Sequence, residues 1–318
     1  MKKIDIIIGA RPNFIKAAGL LSSFSKKLHK FELRLIISGQ HYNKELSTIF
    51  IDELKLNLKK KKFKLTNKNS VLQISEIISK YQNLISKDKP NLIIVFGDVN
   101  TTLAMSIVAN KNNIKLAHVE SGLRSYDLSM PEEHNRKLTD HLSDFLFVTS
   151  TNAKKNLINE GINKKKIFFV GNVMIDTLKK NINKLKKTKL FSQLKLDYKD
   201  YILLTLHRPS NLSNINNFKK TLMFLSKKLK NYKIIFPVHP VTSKLIKEDL
   251  NYNNIIFVKP MGYLEFIFFL KNSNGVITDS GGITEESTYL NIPCITLRDN
   301  TERPETITFG TNRLSNFN

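Results

Sequence analysis

The feature that most constrains this chain is a repeated alternation: short runs of Ile, Val, Leu and Phe separated by stretches of helical length. Runs that are apolar on both sides, rather than at every second residue, belong to parallel strands covered by helices on both faces. They fall at residues 3–9, 33–38, 91–97, 116–120, 144–149 and 166–171, and a second series follows at 201–206, 233–238, 255–259, 275–278, 294–297 and 311–314. Between the series, residues 172–200 are polar and Lys-rich with few aromatics, the natural place for a hinge.

The expected architecture is α/β, with two doubly wound, Rossmann-like domains, residues 1–172 and 173–318, facing a central cleft. A length of 318 residues fits two domains of ordinary size. The last run is followed only by Ser315-Asn316-Phe317-Asn318, where a covering helix is expected, so the C-terminal end reads as truncated.

Composition excludes several classes. No apolar stretch approaches the roughly 18–20 residues needed to span a bilayer, and the start, Met1-Lys2-Lys3-Ile4-Asp5, reads as a first strand and not as a signal peptide. A single cysteine, Cys294, rules out an intrachain disulfide and fits a reducing cytoplasm; its apolar neighbours put it on a buried strand. The net charge of +24 invites a nucleic-acid partner. Its make-up argues against one: 43 Lys are scattered along the chain against only eight Arg, and seven of those arginines lie in or beside the motifs below. The run Lys59-Lys60-Lys61-Lys62 reads as a solvated loop.

Sheets of this type bind ligands beyond the carboxyl ends of their strands. Polar residues gather at those ends: Gly9-Ala10-Arg11-Pro12-Asn13-Phe14-Ile15-Lys16, Gly39-Gln40-His41, Gly97-Asp98, Glu120-Ser121-Gly122-Leu123-Arg124, His207-Arg208-Pro209-Ser210-Asn211, His239-Pro240 and Asp279-Ser280-Gly281-Gly282-Ile283-Thr284-Glu285-Glu286. One such ending is an ordinary helix cap, but seven together point to a site. The Ser280-Gly281-Gly282 turn opens a helix whose free N–H groups and dipole suit an anion such as a diphosphate. Glu286, one turn on, suits a ribose diol. The first strand lacks GxGxxG, which disfavours NAD, and the seven histidines show no HExxH pair, which disfavours a metal. No cofactor is expected.

With Met130-Pro131-Glu132-Glu133-His134-Asn135-Arg136, Gly171-Asn172-Val173-Met174-Ile175-Asp176, Pro237-Val238-His239-Pro240 and Thr301-Glu302-Arg303-Pro304, the order and spacing of these motifs from Arg11 to Arg313 resemble the non-hydrolysing UDP-N-acetylglucosamine 2-epimerases, whose fold is of the GT-B type. The resemblance implies reversible epimerisation at carbon 2 of UDP-N-acetylglucosamine, giving UDP-N-acetylmannosamine by elimination and re-addition of UDP, for cell-surface polysaccharide precursors. It implies a catalytic set of Asp98, Glu120, Glu132 and His207, with mutual repulsion favouring a proton on at least one carboxylate. It implies substrate contacts from Arg11, Lys16, His239, Met261, Phe266, Ser280, Gly281, Gly282, Glu286 and Arg303, residues 173–318 forming the UDP-binding domain, no nucleic-acid or membrane partner, and a homodimer in the cytoplasm.

Asn13 stands where many relatives have Glu, Thr284 replaces a usual Gln, and residues 59–70 lack the glycine-containing loop that the family associates with allosteric substrate binding. Within enzymes the alternatives are an epimerase of a UDP-diacetamido-uronic acid, a hydrolysing form or a glycosyltransferase. Outside catalysis, the alternative is a truncated UDP-sugar binder.

Overall fold

The computed structural model describes residues 1–24, 30–40, 44–212, 215–238, 242 and 252–315. The chain divides into two compact units, Met1–Thr177 and Leu178–Asn318.

In the first unit, the described strands are β1 (Lys2–Ile8), β2 (Phe31–Ile37), β3 (Lys59–Lys62), β4 (Leu92–Phe96), β5 (Lys115–Ser121), β6 (Phe145–Val148) and β7 (Ile167–Phe169). They pair in parallel in the order β3-β2-β1-β4-β5-β6-β7. The helices between them are α1 (Arg11–Phe24), α2 (Lys44–Glu53), α3 (Ser70–Ile85), α4 (Asn100–Lys111), α5 (Pro131–Leu142) and α6 (Thr151–Asn159), followed by α7 (Val173–Asn181). On one face of the sheet, Ile7, Ile36, Ile93, Val95 and Leu116 pack with Ile77, Tyr81 and Ile85 of α3 and with Ala104, Met105 and Val108 of α4. Chain order reverses between β1 and β4, so the connections leaving their carboxyl ends run to opposite faces of the sheet, the place where sheets of this type bind ligands.

The lysine run expected as a loop is instead the edge strand β3, in register with β2 from Arg34↔Lys59 to Ile37↔Lys62. A strand ladder needs only backbone, and charged side chains on an exposed edge keep a second sheet from docking. Lysine content therefore said nothing against a strand at this position.

The second unit carries β8 (Tyr201–Thr205), β9 (Lys233–Pro237), β10 (Ile255–Val258), β11 (Gly275–Thr278), β12 (Cys294–Thr296) and β13 (Asn312–Leu314), parallel in the order β10-β9-β8-β11-β12-β13. Its described helices include α8 (Lys189–Gln193), α9 (Pro209–Leu212), α10 (Ile215–Lys228), α11 (Tyr263–Asn272), α12 (Gly281–Tyr289) and α13 (Glu305–Thr308). Here the reversal lies between β8 and β11. The polar segment read as a hinge is anchored at its far end: Phe191 of α8 is fully buried and meets Tyr201, Phe268 and Phe269 edge to face at 5.3–5.9 Å. Cys294 is buried, and burial pushes its thiol up. Among the described residues, no helix is long and apolar enough to cross a membrane.

Candidate active site

In the first unit, the predicted site residues cluster at the carboxyl ends of β1, β4 and β5. The link from β1 to α1 is closed by Asn13, whose Oδ1 accepts the backbone N–H groups of Gly9 and Ala10, both at 2.9 Å. That fixes the first turn of α1 and sends Lys16 inward, where it is buried and ion-paired to the buried carboxylate of Glu120. Arg11, half-buried at the start of the same helix, has its guanidinium pushed down by desolvation.

Gly97 follows β4 with a φ of 64°, a conformation that costs a glycine little. A Cβ there would also lie 3.2 Å from the Lys16 ammonium and 3.3 Å from Glu120 Oε2, so the missing side chain leaves room for that pair. Glu120 itself has a φ of 70°, and the β5–β6 register shifts around it. A non-glycine residue held in this region carries strain, which packed surroundings must offset.

Asp98 is bound by Arg136, whose Nε and terminal nitrogen donate to Oδ2 at 2.9 and 2.5 Å; Asn135 Nδ2 donates to the Asp98 carbonyl at 2.8 Å. Both come from α5, as does Glu132, which shares the face of Arg136 by its i, i+4 spacing. Arg136 is aimed in turn by the fully buried Glu133 at 2.6 Å. Burial works to raise the Glu133 carboxyl, but the Ser125 N–H and Arg136 outweigh it and hold the group low. Asp98, Glu120 and Glu132 thus share one end of one sheet, but they do not simply repel each other: Asp98 and Glu120 each have a cation of their own.

Beneath Gly97 lies a second tier. His118 is fully buried, with Nε2 2.8 Å from the Gly97 carbonyl and Nδ1 2.7 Å from Asp140. The other oxygen of Asp140 accepts from Arg124 at 2.7 Å and from the Gly122 N–H at 3.1 Å. Burial favours the acid form of Asp140, yet His118 and Arg124 prevail and keep it low. This chain braces the turn that presents Asp98.

In the second unit, His207 follows β8 and Asp279 follows β11, the two neighbours at the strand-order reversal. His207 Nδ1 lies 2.7 Å from Asp279 Oδ1, and the imidazole is 44% exposed. Ser280 caps α12 with no side-chain hydrogen bond, so the first N–H groups of that helix keep their capacity for an anion. Arg303 stands beside the turn, because a Cβ on Gly281 would come within 2.5 Å of its guanidinium. A carboxylate hub organises the arginines: the buried Glu302 accepts from Arg298 at 2.8 and 2.9 Å and lies 3.5 Å from Arg208 and 3.6 Å from Arg303, which also meets Glu285 at 2.8 Å.

Glu286 is buried on α12 beside the Tyr263 hydroxyl; burial pushes its carboxyl up to about 8, with Glu285 adding to the shift and Tyr263 opposing it. Tyr263 ties this group to the start of α11, so Met261, buried, and Phe266, half-exposed, belong to the same region as Glu286. Phe268 and Phe269, further along the same helix, meet Phe191 edge to face, while Phe266 pairs with no other aromatic ring among the described residues. His239 and His41 lie outside the described residues.

Sequence reasoning did not single out Arg136, Asp279 and Glu302, which the structure places against Asp98, His207 and Arg298. Each stood in a quoted motif, and the spacing of Glu132 to Arg136 by one helical turn was a usable signal for the first.

The family model for UDP-N-acetylglucosamine 2-epimerase matches residues 25–318. A UDP-N-acetylglucosamine 2-epimerase homolog of Methanococcus maripaludis is 42% identical, over 99% of this chain and 89% of that protein. A UDP-2,3-diacetamido-2,3-dideoxy-D-glucuronate 2-epimerase of Pseudomonas aeruginosa is 35% identical, over 98% of this chain and 88% of its own length. The crystal structure of Methanocaldococcus jannaschii UDP-GlcNAc 2-epimerase in complex with UDP-GlcNAc and UDP superposes with a TM-score of 0.91 at 40% identity, covering 99% of this chain and 89% of that one. With a family model matched over most of its length and relatives aligned nearly end to end, this chain belongs to the UDP-N-acetylglucosamine 2-epimerase family.

Proposed function

We propose that the chain interconverts UDP-N-acetylglucosamine and UDP-N-acetylmannosamine by removing the carbon-2 proton, expelling UDP from carbon 1, and adding both back with the proton on the opposite face. The observation that carries this reading is the set of carboxylates at the carboxyl ends of β4 and β5 and the start of α5, Asp98 held by Arg136 and Glu120 by Lys16, in a family whose relatives carry the name of this activity. The carbon-2 proton is weakly acidic, so a positioned base must remove it as the leaving group departs.

Asp98, Glu120 and Glu132 supply the base and the acid. Lys16 holds Glu120 in place and brings positive charge to the diphosphate. Arg11 adds a desolvated cation, and the Ser280-Gly281-Gly282 turn with Arg303 receives the negative charge that grows on UDP as it leaves. Glu286 takes the ribose, with Met261, Phe266 and His239 at the base. His207 shares proton transfer or steadies the departing diphosphate. The family resemblance supports a homodimer and a cytoplasmic setting as part of this reading.

Incubation with UDP-N-acetylglucosamine in deuterated water tests the reading. Epimerisation places solvent deuterium at carbon 2 of both sugars, whereas glycosyl transfer or binding alone leaves carbon 2 untouched. The uronic-acid relative gives a second substrate for the same assay, and deuterium uptake by that sugar alone would reassign the substrate.

A further inference from the structure

Asp279 stands at the strand-order reversal of the second sheet, following β11 where His207 follows β8. It is fully buried, and its two oxygens have different work. Oδ2 accepts the backbone N–H of His207 at 2.9 Å, that of Arg208 at 2.8 Å, and Asn211 Nδ2 at 3.0 Å. Those three bonds staple the turn leaving β8. Oδ1 is enclosed, and no donor of the described residues reaches it in good alignment; its close neighbour is His207 Nδ1 at 2.7 Å. At that separation an N–H on Nδ1 lies within hydrogen-bonding distance of the oxygen.

The staple alone does not require a carboxylate. An amide oxygen at the Oδ2 position could accept the same three donors, so the charge and the second oxygen are left for the ring. We propose that Asp279 is a positioning residue for His207: it holds Nδ1 as the donor, leaves Nε2 as the atom that exchanges a proton or hydrogen bond with substrate, and stabilises the positive charge the ring gains when Nε2 takes a proton. This rests on the epimerase reading for the identity of the substrate, but not for the orientation of the ring. The carboxyl of Asp279 is held low despite a burial penalty, chiefly by His207 and by the N–H groups of Arg208 and His207. The Arg208 guanidinium turns to the Asp279 carbonyl, at 3.1 Å, and leaves Oδ1 to the imidazole.

Orientation of a catalytic histidine by a buried carboxylate on its second nitrogen is a recurring device, because the partner of one ring nitrogen decides what the other can do. Asp279→Asn separates the two roles. It keeps an oxygen for the staple and turns an NH2 toward Nδ1, which must then accept, moving the ring proton to Nε2. With 15N-labelled histidine, the wild type should show neutral His207 protonated on Nδ1, and D279N should show it protonated on Nε2.

Solvent-deuterium exchange by D279N should fall on the order of 100-fold or more in kcat, with UDP affinity changed only a few-fold. In a His207→Asn background the same substitution should cost little further. Circular dichroism and thermal melting of D279N check that the staple survives; if it does not, the wild-type spectrum decides alone. A wild-type ring protonated on Nε2, or an equal loss of exchange from D279N with and without His207, would overturn the proposal. If the wild type exchanges no deuterium with any UDP-sugar, the substrate reading fails while the tautomer spectrum still decides on Asp279.

Discussion

The first sheet carries two charged clusters at its opposite ends, and they are built differently. Toward the amino ends of β1 and β2, Arg34 and Asp5 are buried in full and joined by two parallel hydrogen bonds of 2.7 and 2.8 Å. Tyr81 donates to Asp5 at 2.7 Å, and Arg34 directs two further donors to the side chain and carbonyl of Asp88 at 2.7 and 3.1 Å. At the carboxyl ends, Asp98 is bound by one side of Arg136 and stays 30% exposed, and Glu132 lies half-exposed one helical turn from Arg136. The chemistry of the groups is alike. What differs is saturation: a cluster whose partners all come from the fold holds the fold together, whereas one with spare hydrogen-bonding capacity facing solvent has something left for a substrate.

Breaking each cluster should therefore fail in a different assay. Asp98→Asn removes the charge from the unsaturated end and should lower deuterium exchange by about 10²–10⁴-fold, while UDP binding persists and urea denaturation shifts by less than about 1 kcal/mol. Wild-type exchange in that variant would remove Asp98 from the mechanism. Arg34→Met acts on the saturated end. It strands Asp5 in the interior and should cost about 3–5 kcal/mol in denaturant unfolding, with exchange per folded molecule unchanged within about twofold.

Glu286 sharpens the contrast, since it is buried like Asp5 but no cation of the described residues contributes to its electrostatics. Its carboxyl, raised from 4.5 to about 8, holds a proton in the folded chain that the unfolded chain has already released. Its contribution to stability is thus complete below about pH 4.5 and is lost as pH rises through 8. Glu286→Gln should flatten that decline, worth about 1–3 kcal/mol between pH 5 and 8.5, and weaken UDP binding at the same time. Thermal melts across that range check the first effect and calorimetric titration with UDP the second. A pH dependence identical to wild type would mean that Glu286 is ionised in the folded chain.

Much of the site could be read from the residues in order. The endings after β1, β4, β5, β8 and β11 were visible because an apolar run that stops at Gly-Asp, Glu-Ser-Gly or Asp-Ser-Gly-Gly announces both the strand and its polar rim. The partners of those endings were not visible. Arg136 is 38 residues from Asp98, Lys16 is 104 from Glu120, and His207 is 72 from Asp279, and nothing in local spacing pairs residues so far apart. The lysine-only strand β3 was hidden for the opposite reason: its side chains carry no periodic signal, and its place is dictated by the backbone of β2.

The sequence alone determined the alternation of strands and helices, the parallel α/β class and the list of chemically able side chains, because these depend on local apolar patterning and on residue identity. Only the tertiary structure decided which cation meets which carboxylate, that Glu120 sits at a positive φ, that His118 braces Gly97 from below, and that Asp279 has an oxygen to spare for His207. Those outcomes depend on strand order, and strand order is set by how whole layers bury against one another, a property no short stretch of chain possesses.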